Sequence, residues 1–155
     1  MTEGFIENVY GSYANEADEV ERVRTFDRFT PAPLPGTVVR DKPNRCSVTA
    51  MATALFHDLK LIRGYALFDP QEELQDPAAA TVWIGHWWAV TNDEHVVDAS
   101  WPKPGLAYIG EQIEVRKVED GIEAYTLHGE PINDLGVFVY PPLPVVQALE
   151  LKRAA

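Results

Sequence analysis

Residues 41–64 read DKPNRCSVTAMATALFHDLKLIRG, and this stretch decides the fold. Val48, Met51, Ala52, Leu55, Leu59 and Ile62 recur at i, i+3 and i+4, the spacing of one apolar helix face. The pattern predicts a helix from Pro43 or Asn44 to Arg63, stopped by Gly64. Asn44 is the N-cap candidate, which puts Cys46, the single cysteine of the chain, in the first helical turn. On a helical wheel Cys46 lies opposite the stripe, above Ala50, Thr53 and Ala54. Those small side chains let a sheet approach closely, so the helix is expected to be central and covered on two faces. Bulk points one way and the thiol the other.

The flanking segments read as strands and turns. YALF at 65–68 is apolar and aromatic, residues 69–80 form a polar loop, and a long strand is expected over 82–91. A turn around Asn92–His95 leads into VVDASW (96–101), which makes a hairpin ended by Pro102 and Pro104. Further strands are expected at 106–118, 122–128 and 135–140, and a short helix at 145–153. Upstream, NEADEVERVRTFDRF (15–29) reads as a helix with Val20, Val23 and Phe26 on one side, and PAPLPG (31–36) as a linker. One main helix against an antiparallel sheet is an α+β architecture. The chain is expected to be one domain over 1–155, with residues 1–43 an extension packed on a core of 44–140.

Composition limits the function. At 155 residues the chain is long enough to bury a core. It is 46% apolar and 24% charged, as soluble globular chains are. A net charge of −11 leaves no basic stripe for nucleic acid and argues against an anionic membrane. One cysteine makes no internal disulfide, pointing to a reducing compartment. Residues 1–20 carry four Glu, one Asp and no Lys or Arg, unlike a secretory leader. The expectation is a cytoplasmic protein that binds neither nucleic acid nor membrane.

The chemistry-bearing residues are Cys46, His86 and Asp98. A neutral thiol is a poor nucleophile, and a helix N-terminus supplies partial positive charge and free N–H groups to a thiolate. A histidine must then take the proton, and a carboxylate must fix the tautomer of that histidine. His86 stands on the strand 82–91, and Asp98 stands mid-strand in its partner, where an aspartate needs a partner of its own.

The hairpin register is the test of whether they meet. Side chains alternate faces, so His86 shares a face with Trp88 and Val90. A two-residue loop at 93–94 pairs Asp98 with Ala89 and puts it on the wrong face. A three-residue loop at 92–94 pairs Asp98 with Trp88 and Ser100 with His86, and Asp98 becomes the diagonal neighbour of His86. Trp88, on the His86 face, is the candidate substrate-contacting ring. His57 reads as a solvated helix residue, and His95 and His128 as surface ones. There is no H-E-x-x-H, cysteine pair, P-loop, G-x-S-x-G or Rossmann fingerprint, so neither metal nor cofactor is expected.

The segments RCSVTAMATAL, GYALF, GHWWAV, VVDASW and AYIG resemble the transglutaminase-like and papain-like cysteine enzymes, over about residues 44–112. The resemblance implies a papain-like core with Cys46 as nucleophile, His86 as base and Asp98 as orienter. It implies a hydrolase or acyltransferase working on a peptide, protein or small amide or thioester substrate. The same fold also serves as a catalytically inactive module that binds a protein partner. Papain-like enzymes place a glutamine before the cysteine as oxyanion donor, and no Gln precedes Cys46 here. Asn44 is the nearest amide and the candidate for that task.

Overall fold

The computed structural model describes residues 16–40 and 46–132. Its elements are α1 (Glu16–Arg24), β1 (Asp27–Phe29), α2 (Cys46–His57), β2 (Lys60–Phe68), α3 (Gln71–Leu74), β3 (Val82–Val90), β4 (Val96–Val97), β5 (Tyr108–Val118) and β6 (Gly121–Thr126). The sheet is six-stranded and antiparallel, in the order β1-β5-β2-β3-β4, with β6 also on β5. The α+β class follows directly. Asn44 and the expected elements at 135–140 and 145–153 lie outside the described residues.

The decisive helix is shorter than its sequence pattern. It ends at His57, where Asp58 takes a left-handed φ of 53°. The Leu59 N–H then returns to the Ala54 carbonyl at 2.8 Å, which closes the last turn. Aspartate tolerates that conformation better than most residues. Residues 60–64 instead join YALF in β2, which pairs with β3 from Lys60↔Val90 to Phe68↔Val82. Leu61 and Ile62 face opposite clusters of the core, one on each side of the sheet. A strand covered on both faces is apolar throughout, and here that pattern imitated a helix stripe.

The helix α2 is covered mainly on one face, not on the two expected. Cys46, Ala50, Thr53 and Ala54 are buried with Ser47, Thr49 and Met51. Val48 is 46% exposed and Phe56 85%, Ala52 is exposed and Leu55 half-buried. The small-residue side therefore packs on the sheet, and Trp87 of β3 supplies the bulk in that layer. The thiol lies on the packed side of the helix, where a close sheet was expected, and the bulkier stripe is the side left largely uncovered.

The N-terminal segment 16–40 packs on this frame. Val23 and Phe26 are buried against Tyr65, Leu67, Trp83 and Ile109, as their spacing predicts. The helix stops at Arg24, however, and Asp27–Phe29 becomes β1, an added strand on β5. Arg22 bonds Glu111 of β5, and Arg63 reaches the same oxygen at 3.1 Å. Among the described residues no helix is long and apolar enough to cross a membrane.

Candidate active site

The hairpin between β3 and β4 sets the site. Its register is Ala89↔Val97 and Val90↔Val96. The loop is the three-residue one, Asn92-Asp93-Glu94. Thr91 N–H bonds the His95 carbonyl at 3.0 Å and Glu94 N–H the Thr91 carbonyl at 2.9 Å. Glu94 takes a left-handed φ of 63°, the usual third residue of such a turn. Asp98 thereby falls on the His86 face.

His86 Nε2 lies 2.8 Å from Asp98 Oδ2, with the two side chains 0% and 2% exposed. The Tyr108 hydroxyl donates to the same oxygen at 2.8 Å. On Oδ1, the Ser100 hydroxyl donates at 3.0 Å and its N–H at 3.3 Å. With both oxygens accepting, no position is left for a proton on the carboxyl group. Asp98 is held as a carboxylate, and His86 Nε2 must carry the shared hydrogen.

The opposite nitrogen, His86 Nδ1, is buried without a hydrogen-bond partner. Cys46, 6% exposed at the first residue of α2, lies near enough to influence the imidazole. Burial alone works to lower the His86 pKa. The charge and hydrogen bond of Asp98 oppose it, the Cys46 thiol adds to them, and the result is a rise to about 9. Burial works to raise Asp98, and the His86 charge with the bonds from His86, Tyr108 and Ser100 outweighs it, leaving the carboxyl below its usual range. The imidazole edge toward Asp98 is fixed, and the edge left over is a proton acceptor or donor without another use.

Aromatic rings hold the imidazole plane. Trp101 stacks on it at 4.1 Å between centroids and 22° between planes. The carbonyl of Trp101 accepts a hydrogen bond from Arg40. Trp88 also lies roughly parallel to His86, at 6.0 Å. Trp88 is 0% exposed and packs edge-on to Phe29 and Tyr108, so it is a core ring rather than a substrate-contacting one. Its strand is covered on both faces, which alternation along one strand does not reveal.

Sequence reasoning brought Cys46, His86 and Asp98 together and missed Ser100, Trp101 and Tyr108 as their support. Ser100 was findable: an aspartate side chain commonly accepts from the backbone two residues on, and Ser100 stands at that spacing from Asp98. Tyr108 was not, because it sits on β5, two strands from His86 with β2 between. On β2 the residues level with this site are Gly64, paired with His86, and Ala66, paired with Tyr108. Their lack of bulk lets the phenol ring cross β2 and reach Asp98.

Among the described residues no group of three or more His, Cys, Asp or Glu side chains is placed to hold a metal ion. No family model matches the chain, and neither the curated proteins nor the solved structures contain a match to it.

Proposed function

We propose that this protein is a thiol-dependent hydrolase or acyltransferase with Cys46 as nucleophile, His86 as general base and acid, and Asp98 as the group that orients His86. The papain-like or transglutaminase-like core belongs to the same proposal. One observation carries it: His86 is bonded to Asp98 through Nε2, while Nδ1 is buried and unpartnered.

In the reaction the Cys46 proton rests on His86 Nδ1 as a thiolate–imidazolium pair, in keeping with the raised pKa of His86, and the thiolate attacks the carbonyl carbon of an amide or thioester. The tetrahedral adduct collapses as the imidazolium returns that proton to the leaving amine or thiol. The acyl group is left on Sγ. Water or an acceptor amine, deprotonated by the same nitrogen, then releases the acyl group and regenerates the thiol. Cys46 in the first turn of a 12-residue helix has the positive end of the helix dipole to stabilise its thiolate.

A second reading, an inactive module that binds a protein partner, is favoured by one observation. Cys46 is only 6% exposed and His86 1%, so a carbonyl must gain access before attack. The test is to incubate the protein with an activated acyl ester at several pH values and look for acyl-Cys46 by intact mass. Acylation of wild type, its absence in Cys46→Ala and its loss in His86→Ala support the enzyme. Wild type that stays unmodified from pH 6 to 9 favours the binding module.

A further inference from the structure

Asp98 draws its donors from three parts of the chain: His86 on β3, Ser100 just beyond β4, and Tyr108 on β5. Of these, Tyr108 is the one whose direction is fixed from outside. Its oxygen accepts the backbone N–H of Gly105 at 2.6 Å. A phenol has one proton, and with Gly105 supplying a donor from one side, that proton goes to Asp98 Oδ2. The result is a one-way chain: Gly105 N–H to Tyr108, Tyr108 O–H to Asp98, and His86 N–H to the same carboxylate oxygen.

We propose that Tyr108 is a positioning residue for the Cys46–His86 pair: its hydroxyl, oriented by Gly105, locks Asp98 Oδ2 in line with His86 Nε2 and so keeps Nδ1 turned to the thiol. This rests on the triad reading above. The ring by itself has a packing role, edge-on to Trp88 at 4.9 Å and tilted against Trp101 at 6.4 Å. Phenylalanine supplies that packing equally well, so the hydroxyl is what requires a further reason. Burial and the Asp98 charge push the phenol well above its usual range, so it remains a donor wherever the protein is folded. Ser100 pins the other oxygen alone. Without Tyr108 the carboxylate turns about that pin and Oδ2 leaves the line to Nε2.

The titrating groups that meet here are His86 from β3, Tyr108 from β5, Asp98 after β4 and Cys46 from α2. The experiment compares wild type, Tyr108→Phe and His86→Ala. It reads the rate of Cys46 alkylation by iodoacetamide from pH 5 to 10 and the His86 titration by nitrogen-15 NMR. For Tyr108→Phe the expected result is about tenfold slower alkylation at pH 7, the scale of one hydrogen bond to a charged group. The His86 midpoint should also fall by at least about half a unit. A Tyr108→Phe protein that is less stable yet titrates and reacts along the wild-type profile, while His86→Ala does not, overturns the positioning role and leaves the triad standing. His86→Ala reacting along the wild-type profile overturns both. If Tyr108→Phe does not fold, the wild-type spectrum decides. A slowly exchanging Tyr108 hydroxyl proton close to the His86 Nε2 proton supports the chain of donors, and a freely exchanging one refutes it.

Discussion

His86 Nε2 and Asp98 Oδ2 stand 2.8 Å apart with both side chains sealed from water. That contact follows from one count, the three residues of the Asn92–Glu94 loop. A loop one residue shorter turns Asp98 to the other face of the sheet. The buried pair then needs both of its members, because a lone ion in a dry site is far costlier than a matched pair. Its geometry fixes the imidazole tautomer, and its burial ties that geometry to the stability of the fold.

Asp98→Ala is the direct probe of that tie. It leaves a buried His86 N–H unpartnered and removes the acceptor for Tyr108 and Ser100. Unfolding in urea should show a loss of about 3–5 kcal/mol. Asp98→Asn, which keeps the shape and one acceptor, should lose less. A loss under about 1 kcal/mol for the alanine variant means that the pair does not organise this part of the core.

Stability should fall on the alkaline side. The folded His86 pKa of about 9 lies above its usual 6.5, so its contribution is complete below about pH 6.5 and vanishes as pH rises through 9. Asp98 is shifted downward, so its contribution is present above its usual value near 3.8 and is lost as pH falls through the lower folded value. Unfolding free energies from urea titrations should therefore be flat between about pH 4 and 6.5, then decline toward pH 9 by an amount on the order of 3 kcal/mol. His86→Ala should abolish the alkaline decline. An unchanged slope in that variant assigns the decline to other groups.

The site was more legible in the sequence than the frame that holds it. His86 and Asp98 sit in short local motifs, and their meeting depends on a loop that can be counted. The end of α2 was hidden because HDLKLIRG continues the helical spacing while belonging to a strand buried on both faces. The bulky stripe of α2 was misread as a second covered face because volume is shared across the layer: Trp87 fills the space that the helix leaves with Ala50 and Ala54. Tyr108 depends on the pairing of β5 with β2, a relation between residues far apart in the chain that no local pattern carries.

Gly64 should tolerate no side chain. A Cβ there falls 2.0 Å from the Ile109 carbonyl oxygen and 2.5 Å from Gly110 Cα, both backbone atoms that cannot rotate away. Gly64 is also the register partner of His86, so any separation of β2 from β5 disturbs the strand beside the site. Gly64→Ala should lose more than about 3 kcal/mol or fail to fold. Gly36→Ala, with nothing within 4 Å, should stay within about 0.5 kcal/mol of wild type. Thermal unfolding of the two variants side by side makes the comparison, and equal melting points contradict the close approach of the strands.

Cys46→Ala separates the chemistry of the thiol from its packing. Alanine is the better helix former and the missing sulfur is small, so stability should remain within about 1 kcal/mol of wild type. The imidazole should respond more than the fold does. Cys46 is one of the influences that raise His86, so its removal lowers the His86 midpoint from about 9, while Asp98 keeps it above the usual 6.5. An NMR titration of the variant measures this shift directly. A midpoint that stays where it was, in a variant of unchanged stability, means that thiol and imidazole do not act on one another and that Cys46 is only a small apolar residue at a helix start.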